Sequence, residues 1–71
     1  MWILTKDKGL FNSTLIRNIE LYDNDVVAQY LGSYHITLGS YGSPEEANTA
    51  VIGVAKALED GRPVFRMPGT E

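Results

Sequence analysis

The stretch LGSYGSPEEANTAVIGVAKAL, Leu38 to Leu58, decides the fold, because it passes from a strand end through a glycine turn into a capped helix. Ser43 is placed to cap the helix, and Pro44 stands at its first position, where a missing N–H costs nothing. Glu46, three residues after Ser43, completes a capping box. Glu45 and Glu46 also favour the positive end of a helix. Ala47, Ala50, Val51, Val54, Ala55 and Leu58 then fall on one stripe at helical spacing, and Gly61 followed by Pro63 supplies the stop. The spacing predicts a helix over 44–60 that buries one side.

Working outward, the chain before this helix alternates as strands do. Residues 14–22, TLIRNIELY, place Leu15, Ile19 and Leu21 on one parity. Residues 26–31, VVAQYL, are rich in β-formers, and residues 34–41, YHITLGSY, put Ile36 and Leu38 on one face. Shorter strands are expected at 2–5, 10–12 and, after the helix, 64–67. Register follows from loop length, since a slip of one residue sends every side chain to the other face. A three-residue loop at Asp23, Asn24 and Asp25 sets Leu21 opposite Val27 and Tyr22 opposite Val26. A two-residue loop at Gly32 and Ser33, with glycine first, sets Leu31 opposite Tyr34, Gln29 opposite Ile36 and Val27 opposite Leu38. These registers agree in putting Ile19, Leu21, Val27, Leu31, Ile36 and Leu38 under the helix stripe. Asn18, Glu20, Tyr22, Val26, Ala28, Tyr30, His35, Thr37 and Tyr41 then lie on a face that a single helix cannot cover. The expected fold is α+β: a mainly antiparallel sheet of about five strands, one C-terminal-half helix packed on one face, and a short final strand.

The composition bounds the function. With 71 residues the chain is one domain, and folding at this size removes only about 60% of the surface the unfolded chain exposes, so the core is small and association is favoured. There is no cysteine, hence no disulfide framework and no thiolate metal site. Net charge is −3, and the six basic residues are scattered over different segments, which disfavours nucleic acid as a partner because counterion release needs clustered cations. No apolar run approaches the length that spans a bilayer, and the opening MWILTKDKG has no basic leader or cleavage site. The expectation is therefore a soluble cytoplasmic protein without a membrane partner, in which the triplet Asn12, Ser13, Thr14 carries no glycan.

Chemistry is sparse. His35 is the only histidine and has no nucleophile or orienting partner beside it; Ser33, Ser40 and Ser43 read as turn and cap residues, and the carboxylates follow no oxygen-ligand loop pattern. No catalytic residue, cofactor or metal is expected. What stands out is the phenol-bearing sheet face, since aromatic rings with a polar tip suit binding surfaces. Ile52 falls off the buried helix stripe, beside Gly53, whose place in a helix costs roughly 1 kcal/mol against alanine and suits a close approach by another backbone. Trp2, Phe65 and Met67 read as core or edge anchors that pin both ends onto the sheet.

The opening Met1, Trp2, Ile3 with Lys6, Asp7 and Lys8, the segment Leu38, Gly39, Ser40, Tyr41 leading to Ser43, Glu46 and Ala47, and the ending Met67, Pro68 resemble a group of short uncharacterised phage- and prophage-like proteins of Gram-positive bacteria. This chain carries Leu4, Thr5, Lys6, Asp7 where that group has a more polar opening. The resemblance implies an origin on phage or mobile DNA and transfers no functional residue. Taken together, the sequence predicts a non-enzymatic protein-interaction module, self-associating as a homodimer or engaging a protein partner through Tyr22, Tyr30, His35, Thr37, Tyr41 and Ile52. The alternative is a small-ligand binder or minimal enzyme with a pocket near Tyr30, His35 and Tyr41.

Overall fold

The computed structural model describes residues 1–69. The elements run β1 (Trp2–Leu4), β2 (Leu10–Asn12), a single 3-10 turn (Ser13–Leu15), β3 (Ile16–Tyr22), β4 (Asp25–Tyr30), β5 (Tyr34–Ser40), α1 (Pro44–Glu59) and β6 (Val64–Arg66). The α+β class and the position of the helix match the sequence reading, but the strands divide into two three-stranded sheets, ordered β2-β1-β6 and β3-β4-β5. Two local causes separate them. The Asn12 carboxamide oxygen accepts from the Thr14 backbone N–H at 3.1 Å and from the Thr14 hydroxyl at 3.0 Å, capping the turn that ends β2. At the other end of the chain β6 lies parallel to β1, with Trp2 opposite Val64 and Leu4 opposite Arg66.

The helix ends as its residues dictate. The Ser43 hydroxyl accepts from the Glu46 N–H at 3.2 Å. At the far end Gly61 takes a positive φ of 69°, its N–H donates to Leu58 O at 3.2 Å, and Arg62 N–H donates to Ala57 O at 3.0 Å. This is a Schellman closure, and it needs a residue without a Cβ penalty at position 61.

Both hairpin registers differ from expectation by one residue. Tyr22 pairs with Asp25, leaving a two-residue turn in which Asp23 adopts a φ of 54°; aspartate tolerates that region better than most side chains. Tyr30 pairs with Tyr34, so the second loop has three residues, with Leu31 at 49° and Gly32 at 80°. A bulge between Val26 and Val27 leaves Leu38 as the extra residue on β5. The inward face therefore carries Ile19, Val26, Ala28 and Ile36 with Leu38, whereas Val27 turns outward and Leu31 sits exposed at the loop. Val26 and Ala28, assigned outward on the sequence pattern, are fully buried.

One core joins all three layers: Ile3 and Met67 from the smaller sheet and its exit, Val26, Ala28 and Leu38 from the larger, and Ala47, Ala50 and Val54 from α1. The buried helix stripe is Ala47, Ala50, Val54 and Ala57; it is rotated from the expected one, so that Leu58 and Ala55 are exposed and Val51 is half-buried. Three alanines on that stripe let the helix lie close to a sheet whose centre is itself an alanine, and close packing of this kind leaves few voids. The buried Thr5 hydroxyl accepts from Gly9 N–H at 2.9 Å, which ties the turn between β1 and β2 to the core edge.

Gly53 faces the chain's own Phe65, not a second backbone. A Cβ at position 53 would stand 3.0 Å from Phe65 Cζ. Gly53→Ala is therefore expected to gain less than the roughly 1 kcal/mol that helix propensity offers, and to recover the shortfall in a Phe65→Leu background. Urea unfolding of the two singles and the double variant measures this coupling; equal gains in both backgrounds would show that the ring imposes no constraint.

Candidate interaction surface

The register assigns the expected partner residues to different surroundings. Tyr22, His35 and Thr37 share the outward face of the larger sheet with Asn18, Glu20, Val27 and Gln29, and all three are exposed. The neighbouring Glu20 carboxylate, through hydrogen bonding to the phenol and through its negative charge, raises the pKa of Tyr22 above the ordinary 10.0. Ile52 is exposed on α1.

Tyr30 and Tyr41 are not part of that face. Tyr30 follows the inward parity of Val26 and Ala28, and its ring meets Phe11 edge-on, with centroids 5.3 Å apart and planes at 77°. Tyr41 lies beyond the end of β5 and folds back over Gly39, where a Cβ would come within 2.7 Å of the phenol oxygen. Its hydroxyl donates to Pro68 O at 3.0 Å. The Lys6 ammonium stands 4.5 Å from the ring centroid and donates to Ser40 O at 2.7 Å. Tyr41 is thus a clasp between the end of β5, the first turn and the segment after β6, and burial raises its pKa.

The pocket expected near Tyr30, His35 and Tyr41 does not form. His35 pairs with Gln29 on the outward face, while Tyr30 points to the other side of the same sheet. A cleft of about 290 Å3 does open beside Tyr41, lined by Lys6, Glu46, Thr49, Pro68 and Gly69. The Lys6 ammonium, the Tyr41 hydroxyl and the Thr49 hydroxyl there are already bonded within the chain. Among the described residues no group of three or more histidine or acidic side chains is gathered to hold a metal, and no helix is long and apolar enough to cross a membrane.

The surface the sequence pattern did not disclose is the outer face of the smaller sheet. Ile3, Phe11 and Phe65 align across β1, β2 and β6 and turn inward. Their neighbours Trp2, Leu4, Leu10 and Val64 therefore align on the outside, flanked by Asn12 on β2 and Arg66 on β6. Trp2 is 45% exposed, Leu10 54% and Val64 47%. The backbone around Trp2 does anchor the chain end, since its N–H donates to Pro63 O at 2.8 Å, but the indole itself faces away from the core. A signal was present: Trp2-Ile3-Leu4, Leu10-Phe11 and Val64-Phe65 are apolar on both parities, the pattern of strands built for cover on two faces. Here, among the described residues, one of those faces has no covering layer. No protein-family model, curated protein or solved structure matches this chain.

The Tyr41 clasp gives a signed pH dependence. Its folded pKa is raised above the unfolded value of 10.0, so the stabilisation is fully present below pH 10.0 and is lost as pH climbs through the folded value. Tyr41→Phe removes the bond to Pro68 O and is expected to cost about 1 kcal/mol at neutral pH. Its stability should then fall less steeply than the parent's above pH 10.0. Denaturant midpoints across the alkaline range report both effects, and parallel alkaline limbs for the two proteins would contradict the assignment.

Proposed function

We propose that the protein is a small non-enzymatic interaction module, in line with its resemblance to phage-like proteins, and that it engages a protein surface, first of all a second copy of itself. The observation that carries this reading is the uncovered apolar row of Trp2, Leu4, Leu10 and Val64 on the smaller sheet. Isolated exposed hydrophobic residues are ordinary, but several in register on one sheet face mark a contact surface. The outward face of the larger sheet is mostly polar, and with Tyr30 and Tyr41 engaged elsewhere it retains Tyr22, His35 and Thr37 as a secondary contact region.

Magnitudes set the character of the association. Each half-exposed side chain in the row has on the order of 1 kcal/mol left to gain from full burial, while bringing two chains together costs at least about 4 kcal/mol. A face of this size supports weak pairing that depends on concentration, not a permanent dimer.

The parent protein is expected to scatter light with a mass rising above the 7.8 kDa of one chain as concentration increases, with Trp2 emission moving to shorter wavelength. Leu10→Ser with Val64→Ser should hold the mass at one chain and leave the far-ultraviolet circular dichroism unchanged. A parent that stays monomeric, with water-exposed indole emission at every concentration, would rule out self-association through this face.

A further inference from the structure

A groove of about 300 Å3 runs between β3 and α1, walled by Ile16 and Ile19 on one side and by Val51, Ala55 and Leu58 on the other. All four consecutive residues from Ile16 to Ile19 line it. The bulge at Arg17 breaks the alternation of faces there and brings these consecutive residues to one groove. β3 is an outer strand of its sheet and pairs with β4 alone. Among the described residues, the Ile16 N–H donates to Ser13 O, and beyond it no backbone hydrogen bond closes on the outer side of Arg17–Tyr22.

The other edges differ. β2 and β6 are three residues long, and β5 is partly closed by Lys6, whose backbone N–H donates to Leu38 O at 3.1 Å. β3 thus presents an edge with open donors and acceptors from Arg17 to Tyr22 beside an apolar trough. An extended segment satisfies the backbone groups and drops every second side chain into the trough, the geometry by which a peptide adds a strand to a sheet.

Charge narrows the occupant. Within a chain of net charge −3, Arg17 is the one charged residue among the described residues that line this groove. It sits at the bulge between Ile16 and Asn18, where the ladder with β4 is interrupted. We propose that the groove receives an extended segment of a partner protein, with apolar residues at alternate positions and a carboxylate at the end that reaches Arg17. The segment pairs with Asn18–Tyr22, and its apolar side chains cover Ile19, Val51 and Leu58. This site is separate from the Trp2 face, and each stands or falls alone.

The test uses fluorescein-labelled seven-residue peptides of alternating valine and threonine, ending in aspartate or in lysine, titrated with the full chain and read by fluorescence anisotropy. The aspartate peptide should bind, and the lysine peptide should bind about tenfold more weakly. Arg17→Glu should reverse that preference, while Ala55→Arg, placed on an exposed wall of the groove, should abolish binding of both. Methylating the peptide's alternate backbone nitrogens on the β3 side should weaken binding by a further factor of about ten. Circular dichroism verifies that the variants remain folded. Leu10→Ser with Val64→Ser should leave peptide binding unchanged, which separates this site from self-association. Equal binding of both peptides, indifference to backbone methylation, or no binding to either would overturn the proposal. So would a parent dimer that Arg17→Glu alone dissociates, since the occupant would then be a second copy.

Discussion

The parallel pairing of β1 with β6 is the constraint on which the rest of this structure depends. It joins residues 2–4 to residues 64–66, almost the whole length of the chain, so its closure entropy is the largest of any contact in the fold. Ile3 and Met67, both fully buried, make that closure favourable; Trp2 N–H donating to Pro63 O and Met67 N–H donating to Leu4 O bracket the pair. A chain without cysteine has no covalent staple to hold such a closure, and the Schellman turn at Gly61 matters because it aims the chain back toward β1. The hairpins of β3, β4 and β5 are local, whereas the β1–β6 pairing is the long-range contact that closes the core.

Much of this was legible, for identifiable reasons. The helix declared itself through Ser43, Pro44 and Gly61, each required by backbone chemistry at a helix end, and its observed bounds differ from the expected ones by a single residue. Each predicted strand exists. Register was the weak point, because it rested on loop length. Residues 25–31, DVVAQYL, offer two parities, Val26-Ala28-Tyr30 and Val27-Gln29-Leu31, and loop geometry favoured the second. Gln29 was the dissenting residue: inward, it would be a buried amide opposite Ile36, a costly arrangement without partners. Outward, it bonds to Gly32 O and accepts from the Asn18 carboxamide at 3.3 Å. The tight turn forms at Asp23 because aspartate accepts a positive φ, while the longer loop uses Leu31 and Gly32 together.

The same slip explains what the sequence hid about the surface. Moving β4 by one residue takes Tyr30 off the outward face and places it against Phe11, and the phenol-rich face becomes largely polar. Apolar exposure appears instead at the smaller sheet, where short strands are apolar on both parities but only one side has a layer above it. With one helix and two sheets, there is not enough chain to cover every apolar face. The helix covers β4 and the inner side of β3, and the outer row of the smaller sheet and the trough beside β3 are what it leaves.

Tyr41 and Gly39 form a unit with an evolutionary implication. Because the ring rests where any side chain at 39 would have to be, the two positions cannot drift independently. Relatives that enlarge residue 39 should shrink or reorient residue 41, and with it surrender the tether to Pro68 and the perch for Lys6. Paired change at these sites, two apart in sequence yet spatially exclusive, would be a lineage marker for the way the ends of this domain are tied.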